Sequence, residues 1–120
     1  MSDATSEELD RSMLAEIRDM STPDDDLFGE IIDTYLDDVP KRIAGLHEAI
    51  AAGDADKIHR AAHTMKGSSS NLGLLGMVAA CQAVVNAGRS GQLDGVEAKA
   101  AALDQAFARA REILNQERAE

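Results

Sequence analysis

Residues 28–50 read FGEIIDTYLDDVPKRIAGLHEAI, and the spacing of their apolar side chains indicates a helical protein. These side chains recur every three or four positions and form one continuous stripe: Phe28, Ile31, Ile32, Tyr35, Val39, Ile43, Leu46 and Ile50. Such spacing is typical of an amphipathic helix with one face in a core. Pro40 interrupts the stripe, so we expect this helix to be kinked or broken near Pro40.

Apolar stripes with the same spacing lie on both sides of this stretch. Leu9, Met13 and Ile17 predict a short N-terminal helix, and three further stripes begin near Ile58, Leu74 and Val96. No segment alternates with the period of a β-strand. We therefore predict an all-α fold, an antiparallel four-helix bundle with the short N-terminal helix as a lid. Residues 1–7 should form a flexible tail and residues 8–118 a single domain.

Turn and cap residues predict where these helices begin and end. Ser21 and Pro23 indicate the start of the second helix, with carboxylates at its positive end. Gly53 followed by Asp54 is typical of a helix stop and a new N-cap. We expect the last loop to cover residues 88–95, between two glycines.

Composition excludes several classes of function. The chain has 120 residues and a formal net charge of −10, which argues against nucleic acid or an anionic membrane as the main partner. Its one cysteine, Cys81, indicates a reducing compartment and is expected to be an inert core thiol. No apolar signal region or membrane-length run occurs. We expect a cytoplasmic monomer.

The distribution of charge is uneven. All 22 acidic residues lie outside residues 57–93, whereas that segment contains the four basic residues Lys57, Arg60, Lys66 and Arg89. This pattern is either chance clustering in an alanine-rich stretch or a surface for an anion or an acidic partner.

Residues 59–73, HRAAHTMKGSSSNLG, contain the strongest candidate for chemistry. On a helix, His63, Lys66 and Gly67 are neighbours, because positions three and four apart share a face. A neutral imidazole is a good nucleophile, and the Lys66 ammonium can hold an anion attached to it. Gly67 costs helix stability, which suggests close approach by another molecule, and Ser70 offers a hydroxyl on the same flank.

Other interpretations of the same segment remain open. His63 could be an ordinary solvated histidine, and His59 with His63 has the i, i+4 spacing of metal ligands. No glutamate of an H-E-x-x-H motif and no third ligand accompany the pair, so we expect no metal site. His59 and Arg60 are predicted to lie on a partner-binding surface.

The string from His63 to Gly73, H-x-x-K-G-S-S-x-x-L-G, resembles the signature of histidine-containing phosphotransfer (HPt) domains. The resemblance covers most of the chain and implies a four-helix bundle that passes phosphoryl groups between receiver-domain aspartates in multistep phosphorelays. It implies phosphorylation of His63 at Nε2, contact of Lys66 with the phosphoryl oxygens, access over Gly67, and a nearby basic contact from Arg89. Many members carry a polar residue where this chain has Val85, which leaves the group that orients the His63 ring undetermined.

The sequence contains no P-loop, nucleotide-binding fingerprint or Mg²⁺ cage, so we expect a phosphoryl carrier without an ATP-binding or kinase domain and without a cofactor, with Mg²⁺ belonging to the partner. The implied partners are the receiver domains of a response regulator and of a hybrid histidine kinase. Two alternatives are a helical adaptor without covalent chemistry and the phosphotransfer fragment of a chemotaxis-type histidine kinase.

Overall fold

The computed structural model of the protein describes residues 4–119, and these contain five helices and no β-strand. The helices are α1, Arg11–Met20; α2, Leu27–Ala52; α3, Ala55–Asn71; α4, Leu75–Ser90; and α5, Val96–Ala119. The predicted all-α fold is confirmed.

The four long helices surround one core. Helix α2 packs against α3, α3 against α4, α4 against α5, and α5 against α2. Short connections between successive helices make neighbours run antiparallel, as in other four-helix bundles. The core consists mainly of aliphatic and sulfur-containing side chains with almost no exposure, including Ile32, Leu46, Ile58, Met65, Met77 and Leu103. Apolar burial of this kind is the main stabilising contribution to such a fold.

Helix α2 begins later than predicted, and it ends where predicted. The helix begins at Leu27 because the Asp26 carboxylate accepts a hydrogen bond from the Gly29 amide at 2.9 Å, and residues 22–25 form a separate turn. The sequence predicted that the helix would be kinked or broken near Pro40. Helix α2 continues through Pro40 as a single element, so it is not broken there. Gly53, with φ 66°, ends the helix as predicted.

The expectation of a loop over residues 88–95 was wrong at its start, because α4 extends to Ser90. Gly88 is a buried position within the helix rather than a loop residue. A Cβ atom there would lie 2.7 Å from the His59 backbone nitrogen, so the missing side chain lets α4 approach α3 closely. Gly91, with φ 74°, ends α4.

Ion pairs fasten α1 to the end of α5, which supports its role as a lid. The Glu117 side chain is almost completely buried and accepts a hydrogen bond from Arg11 at 3.0 Å. The Arg18 guanidinium donates to the backbone carbonyl of Glu117 and lies over the Phe28 ring. Because a buried carboxylate is costly without partners, both arginines contribute to the placement of α1.

The residues before α1 contact the turn between α3 and α4. The Asp10 amide donates to the Gly73 carbonyl at 2.8 Å, and the Leu75 amide donates to the Glu8 carbonyl at 2.9 Å. Leu9 between them is buried. The predicted flexible tail over residues 1–7 stays a prediction, and residues 1–3 lie outside the described part of the chain.

Candidate functional site

Helix α3 carries the predicted site and is held by both its cap and its buried face. Asp54 caps the helix by accepting a hydrogen bond from the Lys57 amide at 3.1 Å. Its buried residues are Ile58, Ala62, Met65 and Ser69. At about 100° per residue, this face leaves His59, His63, Lys66 and Ser70 together on one flank. The structure therefore brings the predicted residues of this helix together.

His63 is exposed, and neither of its ring nitrogens has a hydrogen-bond partner among residues 4–119. Side chains of a helix lean toward its N-terminus, so the His63 ring lies over the turn that contains His59. The two imidazole rings are nearly parallel, with an angle of 18° between their planes and 5.9 Å between their centroids. His59 therefore lies beside the His63 ring in a nearly parallel orientation, and His63 as a whole remains exposed to solvent.

Gly67 leaves the space above His63 empty. A Cβ atom at Gly67 would have no other atom within 4 Å. A longer side chain there would lean back over the turn of His63, for the same reason that His63 leans over His59. The glycine is therefore not required by packing within the domain. Its effect is to keep the approach to the imidazole clear.

The basic residues near His63 differ in whether they already have an acidic partner. Arg60 forms an ion pair with Asp56, one turn earlier on α3. Lys66, which is half-buried, and Arg89, which is exposed in the last turn of α4, have no ion pair within the described residues. Their positive charges are available to an incoming anion, because no acidic side chain occurs between residues 57 and 93.

The three consecutive serines have different surroundings. Ser69 is buried, and its hydroxyl lies 2.7 Å from the Tyr35 hydroxyl of α2. The Ser68 hydroxyl donates to backbone carbonyls of the preceding turn, at 3.3 Å for Thr64 and 3.2 Å for Met65. Ser70 is exposed, and its hydroxyl has no hydrogen-bond partner in the part of the chain that the structure describes. Of the three, Ser70 is the one able to serve a ligand.

The Tyr35–Ser69 pair was not predicted from the sequence. Burial raises the pKa of Tyr35 well above its usual range, so the phenol stays protonated. A buried phenol needs a hydrogen-bond partner, and this requirement was the available signal that Tyr35 pairs with a polar residue on another helix. The bond ties α2 to the middle of the helix that carries His63.

Val85 on α4 supplies no polar group to the site. The close approach of Gly88 to the His59 backbone fixes the register of the two antiparallel helices. Because the two helices run in opposite directions, moving one turn back along α4 from Gly88 corresponds to moving one turn forward along α3 from His59. Val85 therefore lies near the level of His63. Val85 is 1% exposed and apolar. No hydrogen bond within residues 4–119 orients the His63 ring.

The described residues 4–119 do not indicate a metal site, a reactive cysteine or a membrane-spanning helix. Residues 4–119 contain no group of three or more His, Cys, Asp or Glu side chains able to hold a metal ion. Cys81 is buried, and burial raises the pKa of its thiol to about 12, so the reactive thiolate is suppressed. Within the same residues, no helix combines the length and apolar character needed to cross a bilayer.

A groove opens between α2 and α3 on the side of α3 that lies beyond Gly67. It has a volume of about 540 Å³, and its walls are largely apolar, with contributions from Ile17, Leu27, Ile31, Tyr35 and Leu72. Ser68 and Asn71 form its edge on α3. An exposed apolar surface of this kind is typical of a place where another protein binds.

The chain is similar to histidine-containing phosphotransfer proteins and to a phosphorelay regulator. Residues 30–113 match the family model described as the Hpt domain. The structure resembles histidine-containing phosphotransfer protein B from Pseudomonas aeruginosa PAO1 with a TM-score of 0.86 and 31% identity, covering 95% of this chain and 96% of that one. A histidine-containing phosphotransfer protein from maize shares the fold, with a TM-score of 0.77 and 21% identity over 90% of this chain and 85% of that one.

A curated relative is multistep phosphorelay regulator 1 from Schizosaccharomyces pombe. It is 33% identical over 89 residues, which are 73% of this chain. The chain spans 30% of that relative's length, so the likeness concerns one part of the larger protein.

Proposed function

Because the chain belongs to the family of histidine-containing phosphotransfer domains, we propose that it is a phosphorelay intermediate that carries a phosphoryl group on His63. The group would come from an aspartyl phosphate of one receiver domain and pass to the aspartate of another. The observation that carries this proposal is an exposed imidazole without an internal partner, next to the open space over Gly67. Family membership agrees with the prediction made from the H-x-x-K-G-S-S-x-x-L-G string.

The transfer step is a displacement at phosphorus. The lone pair of His63 Nε2 forms the N–P bond while the bond between phosphorus and the aspartyl oxygen breaks, and that oxygen leaves with the bonding electrons as a carboxylate. For Nε2 to attack, the ring proton must reside on Nδ1, which then keeps it or gives it to water. The reverse reaction with a second receiver regenerates the free imidazole.

Positive charge supports this step from the His63 flank. Lys66, three residues after His63, is close enough to neutralise the phosphoryl oxygens, and its ammonium is not engaged by an acidic side chain in the described residues. Ser70 and Arg89 are the further polar groups proposed to contact the phosphoryl group or its immediate surroundings. Mg²⁺ belongs, in this proposal, to the acidic site of the receiver partner.

Charge and shape together favour a receiver domain as the partner. Residues 57–93, which surround His63 in the sequence, contain no acidic side chain, and this favours approach to an acidic, metal-binding site. The apolar groove between α2 and α3 provides additional contact area. We propose that His59 and Arg60 lie at the edge of this interface and that the partners are receiver domains of a hybrid histidine kinase and a response regulator.

The family is one of phosphoryl carriers, and we propose that this chain has no ATP chemistry of its own. The two alternatives, a non-covalent adaptor and a fragment of a chemotaxis-type kinase, gain no specific support from the geometry. A cytoplasmic location and a monomeric state stay predictions from the sequence.

Incubation with a receiver domain carrying radiolabelled aspartyl phosphate tests the proposal. The protein should acquire label that is labile in acid and stable in base, and His63→Gln should abolish labelling while circular dichroism still shows a folded helical protein. His47→Gln is the matched control, because His47 lies on α2 and pairs with Asp104 of α5. Labelling of the His63→Gln variant, or its absence in the wild type with every receiver of the source organism, would refute the proposal.

A further inference from the structure

The surroundings of His59 differ from those of an ordinary surface histidine. Its Nε2 atom is buried and has no hydrogen-bond partner. A histidine with access to water normally satisfies both nitrogens, and burial of an unpaired one costs free energy. The position of the ring is therefore set by packing. The backbone beneath it is fixed as well, because Gly88 of α4 lies against the His59 nitrogen and Cα atom.

The ring of His59 lies beside that of His63. The two rings lie 5.9 Å apart with an angle of 18° between their planes. Val85 of α4 offers no hydrogen bond, and no other described residue bonds the His63 nitrogens. Since no hydrogen bond within residues 4–119 holds the His63 ring, the neighbouring ring of His59 is a restraint on its orientation.

We propose that His59 is a positioning residue that orients the His63 imidazole by ring stacking, in place of a hydrogen bond from α4. This inference rests on the proposed function, because it assigns a role in the transfer from and to His63. A fixed helix turn holds His59, and the parallel ring of His59 limits the torsions that His63 can adopt. The nucleophilic nitrogen is then presented in one direction.

This role depends on the aromatic face and not on the nitrogens of His59. His59→Phe should therefore retain the orientation of His63, whereas His59→Ala should release it. Release of one side-chain torsion with about three staggered wells predicts a fall of about threefold in the maximal transfer rate. The receiver concentration that gives half of this rate should change by a smaller factor than the maximal rate, because His59 lies only at the edge of the proposed interface. His47→Ala is the matched control for loss of a histidine.

Single-turnover transfer from a phosphorylated receiver, measured over a range of receiver concentrations, separates these two quantities. Three-bond couplings and ring ¹⁵N shifts of His63, measured by NMR without a partner, report its torsion and tautomer directly. We expect averaged couplings in His59→Ala, native couplings in His59→Phe and no change in His47→Ala. If His59→Ala fails to fold, His59→Gln removes the ring while keeping a side chain of similar length.

Two results would overturn the inference. The first is native His63 couplings with an unchanged maximal rate in His59→Ala. The second is a change confined to the half-saturating receiver concentration, which would make His59 a docking residue. Neither resembles failure of the proposed function, in which His63→Gln still accepts phosphate or the wild type accepts none. The NMR readout stays informative in that case too, because it needs no transfer.

Discussion

The hydroxyl oxygens of Tyr35 on α2 and Ser69 on α3 lie 2.7 Å apart in the core, directly behind the surface that carries His63. Ser69 belongs to the buried face of α3, and His63 and Lys66 belong to the flank beside it. This hydrogen bond therefore fixes α3 relative to α2 at the level of the site.

The effects of removing the two partners of this bond should not be additive. Tyr35→Phe leaves the Ser69 hydroxyl buried without a partner, so we expect a loss of about 1–3 kcal/mol in the free energy of unfolding. Ser69→Ala should have a similar effect. The double variant should lose less than the sum of the two, because no orphaned hydroxyl remains. Urea denaturation of the four proteins measures the coupling, and strict additivity would contradict a shared hydrogen bond.

Gly88→Ala should separate α3 from α4. The added Cβ atom would overlap the His59 backbone nitrogen at 2.7 Å, and backbone atoms of two packed helices cannot move aside cheaply. We expect a loss of about 1–3 kcal/mol in stability and slower transfer from His63. Gly76→Ala on the same helix is the control, because a Cβ atom there has no other atom within 4 Å. That variant should be neutral or up to about 1 kcal/mol more stable. Equal effects of the two substitutions would contradict the close contact.

Substitutions of Gly67 should separate stability from transfer. A Cβ atom there has open space, so Gly67→Ala should stabilise the free domain by up to about 1 kcal/mol. Gly67→Gln should preserve the fold and block transfer, because its side chain leans over His63. Gly45→Ala on α2 has equally open surroundings and should change stability without changing transfer. Thermal unfolding and single-turnover transfer test this, and normal transfer by Gly67→Gln would refute the access argument.

Lys66→Ala should impair transfer without unfolding the domain. A charge-assisted hydrogen bond contributes about 1.5–3 kcal/mol, so we expect transfer to slow by about tenfold or more. Lys99→Ala, at an exposed position of α5, removes the same charge from a helix that does not carry His63. Rates of phosphoryl acquisition and the lifetime of the phosphorylated protein measure the effect. Unchanged rates and lifetime in Lys66→Ala would remove this residue from the mechanism.

The ion pair between Glu8 and Arg109 should make stability depend on acid pH. The Arg109 guanidinium, 2.6 Å from the Glu8 carboxylate, lowers the pKa of that carboxyl from 4.5 to about 2. Because the folded state holds the charged form, this contribution is present above pH 4.5 and is lost as pH falls toward 2. Glu8→Gln should therefore lose less stability than the wild type over that range. Urea midpoints at several pH values measure the difference, and parallel pH profiles would contradict the prediction.

Local sequence determined the helices and most of their ends. The apolar stripes predicted all five helices, because the spacing of apolar residues along one helix depends only on residues close in sequence. Gly53 and Asp54 fixed the junction of α2 and α3 through a left-handed turn and a side-chain cap, both of which are local. The candidate acceptor was also visible locally, because His63, Lys66 and Gly67 share one flank through helix geometry alone.

Tertiary structure decided the features that depend on a second helix. The start of α2 is not one of them: Pro23 predicted an earlier start, and the local Asp26 cap and the turn over residues 22–25 place it at Leu27. Gly88 was predicted to begin a loop because glycine is common in loops. It lies within α4, where the missing side chain allows close contact with the His59 backbone. The Tyr35–Ser69 bond and the stacking of His59 on His63 could not be read from spacing alone. Packing and hydrogen bonding between segments fix them, because the energy of such contacts depends on which atoms the fold brings together.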